Sequence, residues 1–286
     1  MITTPLRYPG GKAKAIKKII PLVPKFSEFR EPFLGGASVF IALKQAYPDK
    51  KYWVNDLNND LYHLWLKLKD DCKGLVKGVQ KVKDTEKNGR SLHRKLVENN
   101  PKSSLEKAIR FFVLNRITFS GTIEAGGYSQ GAFDARFTQS SIDRLKPVSS
   151  ILNDTEITNL DYEDLVNKDG KDVFIFLDPP YLSATKSRLY GKNGNLHTGF
   201  DHKRFAEVMR KTKHKWMITY DDCPEVRELF SFANIISWEF QYGMNNYKQE
   251  TAAKGKELII TNYNVQEANL TPTSEIKVKT TRVAVA

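Results

Sequence analysis

The sequence Val-Phe-Ile-Phe-Leu-Asp-Pro-Pro-Tyr occupies residues 173–181 and predicts the central strand of the fold. Its five apolar residues are typical of a strand that is buried on both faces of a parallel sheet. The strand must end at Pro179, because proline has no N–H to donate to a neighbouring strand. Two consecutive prolines stiffen the turn, which holds Asp178 and Tyr181 at the carboxyl end of the strand. The alternative interpretation is an ordinary buried strand that ends in a loop.

Three further acids, Asp56, Asp161 and Asp221, follow apolar segments that are typical of strands. Open α/β sheets bind ligands at the carboxyl edge of their parallel strands, so the four acids are expected to share one edge. Asp221 has no other support and is interpreted as structural. Asp56 lies about 20 residues after a glycine-rich turn, the spacing at which an acid meets ribose hydroxyls in nucleotide-binding folds. It could instead cap the helix that follows.

Two glycine-rich turns lie near the start of the chain, at residues 8–12 and 31–38. The second predicts a strand, a tight turn and a helix. Its paired glycines allow close backbone approach, and the helix start beyond them favours partial negative charge. Neither turn contains a complete dinucleotide-binding or P-loop motif, so a phosphate-cradling site is not supported.

The chain is basic, with 45 Lys and Arg against 33 Asp and Glu among 286 residues, a net charge of +12. This excess suggests a polyanionic partner, with nucleic acid the first candidate, although solvated lysines are a common alternative. The two cysteines and five histidines lack metal-ligand spacing, so we predict no metal and a reducing compartment. No apolar run approaches the ~20 residues that a bilayer requires, and none is typical of a signal peptide. A cytoplasmic protein without membrane association is expected.

The alternation of strands and helices lapses between residues 57 and 150. Aromatic, hydroxyl, amide and Arg side chains on a glycine-rich backbone at residues 115–138 suit a surface that reads base edges, with an ordinary polar loop as the alternative. The basic residues 186–192, next to the Asp178 turn, could contact phosphates as a lid. The polar residues 264–286 are typical of a disordered tail and carry no assigned function.

Several of these segments, in this order, resemble the Dam-like (D12 class) DNA adenine-N6 methyltransferases. They are residues 8–12, 33–36, 55–56 and 178–181. The similarity extends over about residues 5–263. Residues 115–116 and 119–121 also match the target-recognition segment of that family, and residues 254–260 resemble its closing hairpin strand.

The resemblance implies an α/β fold, a Rossmann-like S-adenosylmethionine-dependent methyltransferase fold with a mostly parallel sheet and a late antiparallel strand. A mainly helical DNA-recognition domain would be inserted into it. Residues 1–56 and 151–263 would form the discontinuous catalytic domain, and residues 57–150 the DNA-binding insertion. S-adenosylmethionine is the implied cofactor, double-stranded DNA the partner, and a monomer or weak dimer the expected state.

The resemblance also implies roles for individual residues. The catalytic set is Asp178, Pro179, Pro180 and Tyr181. The cofactor-binding set is Tyr8, Gly11, Lys12, Phe33, Gly35, Gly36, Asp56, Asp161 and Asp178. The DNA-binding set is Asn115, Arg116, Ser120, Tyr128, Arg136, Lys186 and Arg188.

The chemistry of adenine explains the catalytic set. The exocyclic amine is a poor nucleophile because its lone pair is delocalised into the ring, so the Asp178 carboxylate and the Pro179 carbonyl would accept its protons. Tyr181 would stack on the base, which must be flipped out of the duplex to reach such a pocket.

Other functions remain open at the level of sequence. Methylation of cytosine N4 or of a protein glutamine amide needs the same proton acceptors, and a non-catalytic nucleic-acid-binding protein could retain the fold. Asp at position 178 and the basic composition favour adenine in DNA. The segment 115–138 departs from the best-known GATC enzymes of the family between Gly121 and Arg136, so their target sequence is not transferred to this chain.

Overall fold

A computed structural model describes residues 1–123, 126–182, 199–240 and 255–266. Within these ranges, one sheet contains the strands β1 (Glu28–Glu31), β2 (Lys51–Asn55), β3 (Thr155–Thr158), β4 (Val173–Leu177), β5 (Lys215–Asp221), β6 (Asn234–Phe240) and β7 (Gly255–Thr261). The strand order is β3-β2-β1-β4-β5-β7-β6. All neighbouring strands are parallel except β7, which is antiparallel to both β5 and β6. The predicted fold class is confirmed.

The helices of the described residues flank this sheet and fill the segment between β2 and β3. They are α1 (Ile16–Ile19), α2 (Ser38–Ala46), α3 (Asn59–Asp70), α4 (Cys72–Thr85), α5 (Gly89–Glu98), α6 (Ser104–Ile117), α7 (Gln130–Arg136), α8 (Gln139–Asp143), α9 (Leu145–Ile151), α10 (Tyr162–Asn167), α11 (His202–Lys211) and α12 (Pro224–Leu229). Among them, no helix is long and apolar enough to cross a membrane.

The strand order places a crevice at the carboxyl edge of the sheet. The chain runs from β1 outward through β2 to β3, and then returns to the other side of β1 as β4. Loops that leave β1 and β4 therefore diverge, which is where open α/β sheets bind ligands. All five residues of β4 are buried, as predicted, so the Asp178 turn is anchored in the centre of the molecule.

The two faces of the sheet are covered by different helices. One hydrophobic cluster joins Phe29, Tyr52 and Phe174 of the sheet to the helices between β2 and β3. A second cluster lies on the opposite face and includes Ile175 of β4 and Phe205 of α11. The helical insertion is therefore continuous with the core of the sheet.

Helix α6 lies at the centre of that insertion. It begins at a side-chain cap, in which the Ser103 hydroxyl accepts a hydrogen bond from the Glu106 amide at 3.2 Å. A serine followed three residues later by a glutamate is a common sequence pattern at helix starts. From residue 110 to residue 117 every side chain of this helix is buried. A helix with no solvent-facing stripe near its end must be surrounded by other elements.

Arg30 is buried in β1 and links the strand to the loop after α10. Its Nε atom donates to Glu28 at 2.6 Å, and its other nitrogens donate to the carbonyls of Leu165, Lys168 and Asp169 at 2.6–3.1 Å. Leu165 lies in the last turn of α10, and Lys168 and Asp169 follow that helix, so their carbonyls have no intrahelical donor. The guanidinium thus satisfies groups that would otherwise be buried without partners.

We expect Arg30→Met to lower the free energy of unfolding by about 3–5 kcal/mol, because it leaves the Glu28 carboxylate and three carbonyls without their donor. Urea denaturation of the purified variant measures this loss. Lys17→Ala, an exposed change on α1, is the control and should stay within about 0.5 kcal/mol of the parent. Equal stability of the two variants would contradict the role given to Arg30.

Candidate active site

A cleft opens at the carboxyl edge of β1, β2 and β4. All nine residues of the predicted cofactor-binding set line it, and Pro180 of the catalytic set does so as well. These residues come from five separate segments of the chain. Four of the segments follow β1, β2, β3 and β4 and so leave the sheet at the same edge, whereas residues 8–12 precede β1.

Lys12 and Asp178 form an ion pair at the floor of this cleft. The Lys12 ammonium, which is only 3% exposed, lies 2.7 Å from the Asp178 carboxylate and also donates to the Gly10 carbonyl at 2.8 Å. The Thr219 hydroxyl of β5 donates to Asp178 Oδ1 at 2.8 Å. A carboxylate has about four lone-pair sites, so Asp178 is oriented by its two partners and can still accept further hydrogen bonds.

Asp56 joins the end of β2 to the glycine turn after β1. Its carboxylate accepts hydrogen bonds from the amides of Gly35 at 2.8 Å and Asn58 at 2.9 Å. Burial raises the pKa of Asp56 to about 6, although these two amides oppose the shift. The cap of α3 is Asn58, whose side chain accepts from the Leu61 amide at 3.2 Å. Asn58 therefore caps α3, and Asp56 does not.

The glycine turn is closed by Tyr8. Gly35 has φ +47°, and a Cβ atom there would lie 2.8 Å from the Tyr8 ring. Only glycine combines this backbone conformation with such close approach. The turn and the Tyr8 ring therefore form one wall of the cleft.

Two stacked aromatic rings form another wall of the cleft. Of these two residues, the sequence predicted only Phe33 as a site residue. The ring of Phe33 stacks on that of Tyr162 with centroids 5.6 Å apart and an interplanar angle of 29°. Phe200 packs edge-on against Phe33 at 5.7 Å. Asp161, the predicted acid before Tyr162, caps α10 by accepting from the Glu163 amide at 3.0 Å. The position of Tyr162 directly after Asp161 is the sequence signal that could have revealed it.

The rest of the catalytic turn lies beside the cleft. Pro179 is buried and Tyr181 is half-buried. The Tyr181 hydroxyl donates to Glu257 Oε1 of β7 at 2.9 Å, and Lys12 Nζ lies 5.1 Å from the centre of the Tyr181 ring. Sequence reasoning did not single out Glu257 as a site residue. Among the described residues, no group of His, Cys, Asp and Glu is arranged to hold a metal ion.

The structure buries two residues of the predicted DNA-binding set. Asn115 is fully buried, and its amide group bonds both the N–H and the carbonyl of Arg7, at 3.1 and 2.7 Å, and the Gly121 carbonyl at 3.2 Å. In this arrangement Asn115 fastens the recognition segment to the residue before Tyr8, and its amide is not presented to DNA.

Arg116 is 4% exposed, and its Nε atom has no hydrogen-bond partner within the described ranges. Burial lowers its pKa to about 10, assisted by the positive charges of Arg144, Arg7 and Arg136. Such a cation is favoured by an approaching anion. The unpaired Nε atom and its cationic neighbours are compatible with the predicted contact of Arg116 with DNA.

The other predicted DNA-binding residues are accessible or lie outside the description. Ser120 and Tyr128 are half-buried, and Arg136 is exposed. Phe119, which is 64% exposed, stands at the tip of the same loop beside Ser120 with φ 53°. Lys186 and Arg188 fall outside the described residues.

One known protein family matches most of this chain. A family model of the D12 class N6 adenine-specific DNA methyltransferases matches residues 8–244. The chain belongs to this family. The match includes the two glycine turns, the strand-end acids and the Asp178 turn, as the resemblance implied.

Several curated methyltransferases are similar to this chain over most of their length. The type II methyltransferase M1.LlaDCHI of Lactococcus lactis subsp. cremoris is 25% identical over 276 residues, which is 90% of this chain and 94% of that protein. The type II methyltransferase M.CviBI of Paramecium bursaria Chlorella virus NC1A is 24% identical, covering 90% and 98%. A DNA adenine methylase of Vibrio cholerae is 22% identical, covering 80% and 85%.

We expect Gly121→Ala to lower the free energy of unfolding by about 1–3 kcal/mol. Gly121 has φ +75°, and a Cβ atom there would lie 2.3 Å from the Arg7 carbonyl oxygen, so the Asn115 contacts must shift. Gly127→Ala in the same loop is the matched control, because a Cβ atom at that position meets nothing within 4 Å. Thermal unfolding of both variants provides the measurement, and a Gly121→Ala protein as stable as the control would contradict the expectation.

Proposed function

We propose that this D12-family DNA adenine methyltransferase transfers the methyl group of S-adenosylmethionine to N6 of an adenine that is flipped out of double-stranded DNA. The observation that carries this proposal is the Asp178 carboxylate, which Lys12 and Thr219 orient at the floor of the cleft. Methyl transfer to an amine depends mainly on how the reacting groups are positioned. A carboxylate that is held in a fixed orientation next to a ligand cleft can position the amine.

The donors and charges of the cleft fit the methyl donor. Its lining contains five acids, Glu31, Asp56, Asp161, Asp178 and Asp201, against the two cations Lys12 and Arg204. An excess of acidic groups in a cleft favours a cationic guest. When bound, S-adenosylmethionine supplies an electrophilic methyl group on a positively charged sulfur.

Individual contacts with that cofactor are assigned from the side chains that line the cleft. The Asp56 carboxylate would accept hydrogen bonds from the ribose hydroxyls, as acids at this position of nucleotide-binding folds do. The Phe33 and Tyr162 rings and Asp161 would hold the adenine. Tyr8, Gly11 and Lys12, on the opposite side of the glycine turn, would close over the methionine end.

Asp178 and its turn act on the target base. The Asp178 carboxylate and the Pro179 carbonyl would each accept a hydrogen bond from one N–H of the N6 amine, which localises the nitrogen lone pair, and Tyr181 would stack on the ring. When the methyl group is transferred to N6, the nitrogen releases one proton, for which the Asp178 carboxylate is the acceptor. Flipping costs a few kcal/mol of lost stacking, on the order of what aromatic contact and pocket hydrogen bonds return.

The inserted helices, within residues 57–150, would carry target recognition. Arg136 and Arg144 are exposed, and their positive charges act on the buried Arg116, so these helices carry a concentration of positive charge suited to phosphates. The exposed Phe119 ring could fill the gap that a flipped base leaves, since apolar wedges stabilise unstacked DNA steps. Contacts of Ser120, Tyr128, Lys186 and Arg188 with DNA remain predictions.

We expect Asp178→Asn to reduce the rate of methylation by about 10²–10⁴-fold, because the amide cannot accept the proton from N6. DNA affinity should change by less than about threefold. Incorporation of labelled methyl groups into unmethylated DNA, with product nucleosides separated by chromatography, measures the rate and identifies the methylated atom. Asp164→Asn, an exposed acid on α10, is the control for loss of one negative charge near the cleft. Near-normal turnover by Asp178→Asn, or a product other than N6-methyladenine, would sink the proposal.

Cofactor affinity should fall as the pH falls through about 6, where Asp56 takes up a proton. The pKa of Asp56 is raised, so its acceptor form predominates only above that value. If the ionised form binds, affinity drops by about tenfold for each pH unit below the pKa. Isothermal titration calorimetry between pH 5 and pH 8 provides the measurement.

Asp56→Asn is the matched control for this pH dependence, since it keeps a side-chain acceptor but cannot titrate. Its affinity should be lower at pH 8 and nearly independent of pH around 6. The same pH dependence in both proteins would assign the titration to another group and contradict the role of Asp56.

A further inference from the structure

Glu257 is a buried acid on β7, near the Asp178 turn. Strand β7 is antiparallel to β5, and the register places Glu257 opposite Asp221, the last residue of β5. A residue that is remote in sequence from the Asp178 turn is thereby brought to the functional edge of the sheet. The Glu257 side chain is 1% exposed.

The hydrogen bonding of Glu257 is directed at Tyr181. Its Oε1 atom accepts from the Tyr181 hydroxyl at 2.9 Å, whereas its Oε2 atom is buried and has no hydrogen-bond partner within the part of the chain that the structure describes. Burial raises the pKa of Glu257 to about 7, with Lys12 opposing the shift and Asp178 adding to it. A buried, half-satisfied carboxyl group costs stability relative to an apolar residue of similar size. Its presence in the core of a strand therefore calls for a function.

Tyr181 is held by more than this hydrogen bond. Lys12 Nζ lies 5.1 Å from the ring centre, and the Tyr220 ring is 6.0 Å away at an interplanar angle of 30°. Lys12 also bonds Asp178. Ring contacts of this kind allow the ring to slide and tilt, whereas a hydrogen bond to the hydroxyl oxygen fixes the far end of the ring. Glu257 thus restrains the tilt of Tyr181 relative to the Asp178 carboxylate.

We propose that Glu257 is a positioning residue for methyl transfer. It holds the Tyr181 ring at the angle that stacks on the target adenine while Asp178 accepts the proton that N6 releases. This inference rests on the proposed function of the Asp178 turn. Glu257 touches neither the base nor the cofactor in this scheme. It acts through the tyrosine hydroxyl.

Glu257→Leu separates this role from a structural one. Leucine keeps the bulk of the side chain and removes both the charge and the acceptor, so the variant should be as stable as the parent protein or more stable. Its kcat should nevertheless fall by about tenfold to a hundredfold, the loss expected for a hydrogen bond to a charged group. Glu257→Gln retains an acceptor oxygen and should recover most of the rate. A residue that served only stability would give the opposite pattern, a lower unfolding temperature with unchanged kcat.

The state of the target base provides a readout independent of turnover. An oligonucleotide with 2-aminopurine at an adenine that the parent protein methylates fluoresces when the base is unstacked and is quenched again on an aromatic ring. We expect the complex with Glu257→Leu to be at least about twofold brighter than the parent complex, with similar DNA affinity.

Tyr181→Phe should match Glu257→Leu in kcat, and the double variant should be no slower than either, because both changes remove the same interaction. Thr261→Val, a buried change farther along β7, is the control and should leave kcat and fluorescence unchanged.

The outcomes distinguish the inference from the function on which it rests. Methylation of adenine by the parent protein with unchanged kcat and fluorescence in Glu257→Leu would overturn the inference alone. Additive losses in the double variant would do the same, since the two residues would then act separately. Failure of the parent protein to methylate adenine would overturn both.

Discussion

The Lys12–Asp178 ion pair joins the two halves of the site and determines what each can do. Lys12 belongs to the turn near the start of the chain, Asp178 to the turn after the central strand, and both are held against the sheet. A buried ammonium is costly without a counter-charge, and its contact with the Asp178 carboxylate orients that carboxylate in the cleft. The ion pair therefore holds the two turns together and defines the floor of the cleft between them.

The charge of this site is opposite to the charge of the molecule. The chain as a whole carries +12, but Glu31, Asp56, Asp161 and Asp178 line one cleft. Burial raises the pKa of Glu31 well above its usual value, and Asp178 and Asp56 add to the shift. A basic exterior suits a polyanion, whereas an acidic cleft suits a small cation. This division of charge is consistent with the proposed binding of DNA and of a sulfonium cofactor at separate surfaces.

Much of the site was predictable because parallel strands impose simple geometry. Acids that follow strands must share an edge, so Asp56, Asp161 and Asp178 could be grouped before any coordinates, and the paired glycines marked the turn that faces them. The recognition segment was harder to predict. Asn115 and Arg116 occur in a polar-looking stretch, yet both belong to a helix that is enclosed by its neighbours, and burial of that kind depends on how helices pack. The exposed Phe119 ring follows from the same packing.

The sequence by itself determined the fold class, the family and the position of the Asp178 turn at the end of a buried strand, because apolar runs, prolines and glycines act through local backbone constraints. Only the tertiary structure decided which distant residues meet. The contact of Glu257 with Tyr181 depends on the antiparallel register of β7, and the contact of Asn115 with Arg7 depends on where the inserted helices rest against the start of the chain. No local pattern encodes such pairings, since each joins elements that are far apart in the sequence.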